Sequence, residues 1–477
     1  MTFRQLLSNI QYEKICNDAD IEITGISTDA DSVEKGNLFV CYKGLKFDSH
    51  ERAERALENG AAAVVAESEI AGVPCAVVKD GRAAIAPLAR AFYGFADKKL
   101  KIIGVTGTNG KTTTTYFLKS IFDKNNRKTG IIGTLGIAYG DIFIAPELTT
   151  PDPIFLHSVF ADMCKHGVEY VFMEVSAHAL YFDKCNGLTF EVGIFTNCTQ
   201  DHLDFFKDMK EYSECKSRLF EDSRCKRAVI NSDDTLGAKL IKKLKNCVSY
   251  GLENPADTFA VDIAERIDGS SFVLNVSDDI YDVELQMPAI HNVYNALAAA
   301  TCAHLLGVNI AVIAEGLNAL KCVPGRLERV AKYNGGQIFV DFAHTPDGLE
   351  KSLSALKKLC EGSLYCLFGC GGNRDSSKRP VMGEVAAKYA DFVIITSDNP
   401  RYEDPYAIIE QIEAGVRKSG REYVAVTDRE VAIEYALNLV SEGDILLVAG
   451  KGGENYQEIM GVKHSYSDNN VIKKLIS

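Results

Sequence analysis

The chain has 477 residues, 46% hydrophobic and 25% charged, with a formal net charge of −13. This length exceeds what one hydrophobic core organises, so roughly two to four domains are expected, and the acid excess excludes nucleic acid as the main partner, because phosphate-backbone binding runs on clustered Lys and Arg. No apolar run is long enough to cross a membrane, and the opening MTFRQLLSNIQYEK breaks its apolar residues too often for a signal peptide. The 14 cysteines are scattered with no paired CxxC. They read as buried thiols in a reducing compartment, so a cytoplasmic protein without disulfides or a cysteine-held metal is expected.

Residues 1–98 read as a small α/β block. GNLFVCYKG and GAAAVVAES are strand-like, and ERAERALENG has helical spacing with a glycine stop. From LKIIGVT onward, apolar strands (VEYVFMEV, EVGIFTN, KRAVIN) alternate with helices (TTTTYFLKSIFDKN, MKEYSECKSRLFED). Near-continuous apolar strands of this kind suit a parallel sheet covered on both faces. Shorter alternating strands, SSFVLNV and IYDVELQMP, precede a helical pair that begins at HNVYNALAAATCAHLLG. After Pro324-Gly325, read as a hinge, a second βα series carries the strands QIFVDFA, SLYCLFG, DFVIIT, EYVAVT and DILLVAG. The expected fold is therefore α/β in three domains: 1–98, a central P-loop-type parallel sheet over 99–324, and a Rossmann-like block over 325–477.

In open parallel sheets ligands bind beyond the carboxyl ends of the strands. The unusual polar clusters fall there repeatedly: GTNGKTT, EVSAH and NCTQDHLD in the central block, then DFAHTPD, GCGGNRD, SDNPRYEDP and GKGGENYQ in the last. In GTNGKTT, Gly107 and Gly110 let backbone N–H groups approach phosphate oxygens at a helix N-terminus, with Thr108 and Asn109 between them. Lys111 would reach the outer phosphates and Thr112 or Thr113 would ligate Mg²⁺, although Val105 breaks the strict phosphate-loop spacing. Glu174 and His202 are candidate hard-cation ligands, although on residue type alone each is more often an ordinary structural polar residue. Lys216, within a helical stretch, reads from its surroundings as a solvated lysine.

Taken together these motifs resemble the Mur ligase family, the ATP-dependent amide-forming enzymes of peptidoglycan synthesis. GTNGKTT, LTTPDP, MEVSAHAL, FTNCTQDHLDF, HNVYNALAA, PGRLERV, DFAHTPD, FGCGGNRD, SDNPR and AGKGGE stand in the family's order across nearly the whole chain. The resemblance implies a UDP-holding first domain, a central ATPase domain and a closing C-terminal domain. It implies that ATP phosphorylates the D-Glu γ-carboxylate of UDP-MurNAc-L-Ala-D-Glu and that an amino acid's amine attacks the acyl phosphate. Within the family the likeness is to the branch that adds the third peptide residue. It further implies Lys111 on the ATP phosphates, Glu174, His202 and a carbamylated Lys216 on Mg²⁺, and Asn295, Arg326 and Asp341 on the nucleotide. Thr149, Thr150, Ser176 and Lys184 match the contacts to the dipeptide carrier. A monomer is the family expectation.

The stretch Asp398-Asn399-Pro400-Arg401 resembles the family's signature for meso-diaminopimelate. The physical logic is that this amino acid differs from L-lysine by one distal carboxylate, which a guanidinium grips through paired hydrogen bonds. Bound lysine is expected to leave Arg401 unpaired. Arg374 would help hold the amino acid, and Gly450 and Glu454 would meet its distal amino group. Two alternatives remain: a lysine-adding ligase of the same fold, against which Arg401 argues, and a non-catalytic nucleotide-binding paralogue acting as a partner protein. The departures from the family pattern are Asp29-Ala30-Asp31 where Asp-Ser-Arg is usual, Gly453 in place of His, and Gly348 in place of Ala. Ala30 lacks the hydroxyl, and Asp31 reverses the charge expected beside UDP.

Overall fold

The computed structural model describes residues 1–45, 47–221, 224–277 and 279–477. The first block forms a five-stranded sheet in the order Lys14–Cys16, Cys75–Val77, Ala63–Ala66, Asn37–Val40, Gly25–Ser27. Only Lys14–Cys16 runs antiparallel to its neighbour. Its helix Gly81–Phe92 starts where the Asp80 carboxylate accepts the Ala83 amide at 3.0 Å, an N-cap of the usual kind.

The centre of the chain contributes an eleven-stranded sheet. Main-chain proximity groups the described residues into two compact units, 1–104 with 127–193 and 215–227, and 105–126 with 194–214 and 228–477. In the first unit Tyr170–Glu174 pairs in parallel with Thr129–Gly133, which is followed by the antiparallel strands Gly136–Tyr139 and Ile142–Ile144. In the second, Ala228–Asn231, Cys247–Tyr250 and Thr258–Arg266 run parallel, and Gly269–Val276 and Asp279–Leu285 extend them antiparallel.

The last block is a six-stranded sheet in the order Glu328–Tyr333, Gly336–Asp341, Ile445–Ala449, Leu364–Phe368, Phe392–Ile395, Tyr423–Ala425. All pairings but the first are parallel. Its strand residues divide by the period of two: Phe339, Cys366, Ile395 and Leu447 join one core with Leu353 and Met382, while Ile338, Val340, Leu367 and Val448 join another with Ile433 and Ile472. Both faces are thus buried, which is why these strands read as unbroken apolar runs.

The expected strands and most helices are present. The expected helix MKEYSECKSRLFED is shorter, ending as Met209–Ser217 with a 3-10 turn over Arg218–Phe220; Asp222 lies outside the described residues. The sequence reading passed over Thr129–Gly133, whose glycines mask its apolar pattern, and the hairpin Tyr456–Ile459 with Val462–Ser465. All 14 cysteines are free thiols. Among the described residues no helix is long and apolar enough to cross a membrane.

Candidate active site

The strand Lys101–Thr106 runs into the turn 107–110 and then the helix Lys111–Lys124. Gly110 has φ +87° and faces Asn295 Oδ1, so a side chain there would be both strained and obstructed. The turn is held by neighbouring segments: the amides of Thr108 and Asn109 donate to Asn197 O and Oδ1, each at 2.9 Å, and Thr196 Oγ1 donates to Asn109 O at 2.6 Å. Lys111 Nζ folds back to Gly107 O and Thr108 O, both at 2.9 Å. Thr112 and Thr113 are buried, and Thr112 Oγ1 accepts from Arg326 Nη2 at 3.0 Å. A cation bound at Thr112 would therefore compete with the Arg326 guanidinium, which stacks over the Phe342 ring at 4.3 Å.

Residues 109 and 199 are further tied to the last sheet's entry helix, Pro346–Leu359. Asn109 Nδ2 and Thr199 Oγ1 both donate to Asp347 Oδ2, at 2.7 and 3.0 Å. Asp341 behaves as an organiser: its two carboxylate oxygens accept the backbone amides of Leu327 and Ala343, fixing the segment that carries Arg326. Burial raises its carboxyl above the usual range despite the Arg326 charge. Asn295 is buried beside Gly110, its Nδ2 reaching Asn292 Oδ1 at 3.5 Å. His202 sits at φ +57°, with Nε2 3.4 Å from Asp201 Oδ2. Burial pushes Asp201 up, yet His202, His344 and Lys378 outweigh it and hold the carboxyl below its ordinary value.

In the first unit Glu174 ends a wholly buried strand and is 1% exposed. Its carboxylate accepts Thr134 N at 2.9 Å and Thr134 Oγ1 at 3.0 Å. Thr134 Oγ1 also lies 3.1 Å from Thr149 Oγ1. Thr150 Oγ1 donates to Glu174 O at 2.9 Å and accepts Ser176 N at 3.0 Å, and Ser176 Oγ caps the helix Ala177–Tyr181. Glu174, Thr149, Thr150 and Ser176 are thereby brought together, with Lys184 paired to Asp152 of TTPDP at 2.8 Å. Lys216 is 1% exposed, so its reading as a solvated lysine is corrected. Its helix is attached through Cys215 Sγ, which donates to Ala177 O at 3.1 Å.

Among the described residues no three His, Cys, Asp or Glu side chains lie together as a metal cage. Oxygen-rich single carboxylates such as Glu174 suit Mg²⁺, which keeps several waters and takes its other ligands from substrate phosphates. The residues present fit a cation held in that way. Asp31, expected to present a reversed charge, is neutralised by Arg52 at 2.6 Å and Arg55 at 3.5 Å, and the Arg52 hydrogen bond leads in lowering its carboxyl.

The Asp398–Arg401 loop leaves the strand Phe392–Ile395 and packs on two glycine-rich segments. Gly450, at φ +108°, lies where a side chain would collide with the Asp398 carboxylate, and Gly372 donates to Asn399 O at 2.9 Å. Asn399 is used up by the protein rather than held out: Oδ1 accepts Lys451 Nζ (3.0 Å) and Glu458 N (2.9 Å), and Nδ2 donates to Glu454 Oε2 (2.9 Å). Pro400 O lies against Gly372, and Arg374 is exposed on the adjoining turn. Arg401 is paired within the protein itself. Its Nε donates to Glu458 Oε2 at 3.0 Å and its Nη1 to Gly372 O at 2.9 Å.

Sequence reasoning missed several supports. Arg379, wholly buried, donates to both Glu403 oxygens, Gln411 and Gly371 O, joining the two loops on either side of Arg401. Arg429, paired with buried Asp468 at 2.8 Å, holds the carbonyls of Ser397 and Ala449, which precede the DNPR and GKGGE turns. Of the acids in these supports, Asp347 and Glu403 stood inside stretches the sequence had flagged, and Glu458 did not.

Three family models match in chain order: Mur ligase family, catalytic domain, over residues 22–93; Mur ligase middle domain over 105–303; and Mur ligase, glutamate ligase domain, over 325–452. A UDP-N-acetylmuramoyl-L-alanyl-D-glutamate--2,6-diaminopimelate ligase of Caldanaerobacter subterraneus subsp. tengcongensis is 41% identical, covering 100% of this chain and 99% of the relative. A protein of the same name from Clostridioides difficile is 39% identical with both chains covered fully, at 100%. A solved structure of a ligase with that name superposes with TM-score 0.71 at 32% identity over 100% of this chain and 98% of its own. MurF ligase from Thermotoga maritima shares the fold, with TM-score 0.64 at 21% identity over 95% of this chain and 96% of its own.

Proposed function

The chain belongs to the Mur ligase family, and we propose that it joins meso-diaminopimelate to the D-Glu γ-carboxylate of UDP-MurNAc-L-Ala-D-Glu, using ATP and releasing ADP and phosphate. The blocks 1–98, 99–324 and 325–477 serve as carrier-binding, nucleotide-binding and amino-acid-binding parts. The observation that carries the reading is the wiring of the phosphate turn to the C-terminal block, through Asn109 and Thr199 on Asp347 and through Arg326 on Thr112. It couples the segment that would hold ATP to the segment that would hold the amino acid.

A free carboxylate is a poor electrophile, so it must first become an acyl phosphate. Lys111, released from Gly107 O and Thr108 O, would neutralise the transferring phosphoryl group, and Arg326 would exchange Thr112 for the nucleotide. Glu174, His202, Thr112 and a carbamate on Lys216 would hold Mg²⁺, which would supply positive charge to offset that of the phosphates. Thr149, Thr150, Ser176 and Lys184 would hold the dipeptide carrier beside Glu174. Arg401 and Arg374 would take the amino acid's carboxylates, with Glu454 near its distal amine.

Hydroxylamine trapping tests the first step. With ATP, Mg²⁺ and UDP-MurNAc-L-Ala-D-Glu but no amino acid, the account expects a γ-hydroxamate of the carrier, diminished in Lys216→Ala and restored there by added short carboxylic acids. No hydroxamate from the wild-type protein would overturn the acyl phosphate route.

A further inference from the structure

The hairpin Tyr456–Ile459 with Val462–Ser465 carries no motif, yet it forms one wall of the Asp398–Arg401 loop. Arg401 has φ +53°, a left-handed conformation that only surrounding structure maintains in a side chain of this size. The hairpin supplies that structure: Arg401 N donates to Glu458 O at 3.0 Å and Met460 N donates to Arg401 O at 2.7 Å. Glu458 N is itself anchored on Asn399 Oδ1 at 2.9 Å. The same residue then reaches the guanidinium, Oε2 on Nε at 3.0 Å, with the two side chains 21% and 19% exposed. Gly372 O takes Nη1, so two of three guanidinium nitrogens are fixed by the protein. Nη2 has no protein acceptor among the described residues, so it keeps its donors for an incoming carboxylate.

We propose that Glu458 is a positioning residue which orients Arg401 and thereby sets selectivity for an amino acid with a distal carboxylate. The inference rests on the functional reading above. Glu458 has two opposing effects on an incoming carboxylate. Its charge offsets that of Arg401 and weakens the attraction, while its hydrogen bond fixes the plane of a long, rotamer-rich side chain in advance. At a half-buried site with a second anchor on Gly372 O, the orientation dominates.

The test is steady-state kinetics of the full chain with ATP, Mg²⁺, UDP-MurNAc-L-Ala-D-Glu and varied meso-diaminopimelate or L-lysine, for wild type, E458A, E458Q, R401A and E458A/R401A. Expected for E458A is a KM for diaminopimelate raised about tenfold, with the KM for ATP unchanged and the preference over lysine narrowed. E458Q, whose amide oxygen can accept from Nε, should recover most of the loss, and E458A should add less than about threefold once Arg401 is gone. An unchanged or lowered KM in E458A, an equal loss in the R401A background, or E458Q as impaired as E458A would overturn the proposal. Absence of any diaminopimelate turnover by the wild type would overturn the functional reading along with it, whereas wild-type turnover with an indifferent E458A overturns this inference alone.

Discussion

The phosphate turn at 107–113 and the amino-acid loop at 398–401 both follow buried strands, yet they hold their cations in different ways. Lys111 meets carbonyls of its own turn, and Arg326 meets the Thr112 hydroxyl and the Phe342 ring beside the Asp341 carboxylate. Contacts to carbonyl and hydroxyl oxygens are ones that phosphate oxygens can replace. Arg401 rests on a carboxylate and a carbonyl supplied by two other segments, and its loop is braced by the ion pairs of two buried arginines, Arg379 and Arg429. The first region is built to release charge to a ligand; the second is built to keep a shape. Chemistry common to many substrates needs the former, and choice between two similar amino acids needs the latter.

Removing the cation of the phosphate turn should have the largest effect. Lys111→Ala is expected to lower kcat by about a hundred- to a thousandfold, as removal of one electrostatic stabiliser does, with the melting temperature preserved. A loss below tenfold in a phosphate-release assay would break the distinction between the two regions. Next, Arg429→Met should destabilise the protein by about 3 kcal/mol or more, because Asp468 is left buried without its partner. Denaturant unfolding followed for the C-terminal block would show it, and pairing the change with Asp468→Leu should return much of the stability. Arg401→Lys should raise the KM for diaminopimelate by about tenfold or more, since an ammonium cannot reproduce the planar paired contact.

The smallest effect is a pH dependence set inside the first unit. His157 is 1% exposed beside Phe160, and burial lowers its pKa to about 4, with Arg90 adding to the effect and Asp97 opposing it. The unfolded chain binds a proton near pH 6.5 that the folded one refuses until about pH 4. Stability from this group is therefore complete above pH 6.5 and declines on acidification toward 4, by at most about 1.4 kcal/mol per pH unit. His157→Leu should flatten the melting temperature between pH 6.5 and 4.5, and an unchanged slope would place the acid sensitivity elsewhere.

Much of this was legible in the sequence because both kinds of site begin at strand ends, and buried parallel strands announce themselves as unbroken apolar runs. GTNGKTT exposed its function through glycine placement, and SDNPR exposed an arginine in a turn. What stayed hidden was the partner of each charge. Glu458 is 57 residues from Arg401, and Asp468 is 39 residues from Arg429, on elements with no pattern to mark them. Lys216 looked solvated because its helix is polar at most positions; only packing shows it buried. Asp31 looked misplaced until Arg52 and Arg55 came beside it.

The central claim is that Arg401 sits in a loop preorganised to read a distal carboxylate. Phosphate release with ATP, Mg²⁺ and UDP-MurNAc-L-Ala-D-Glu, comparing meso-diaminopimelate with L-lysine at equal concentration, tests it most directly. The account predicts turnover with meso-diaminopimelate at least about a hundredfold above that with lysine. Equal turnover with lysine, or turnover with lysine alone, would contradict it.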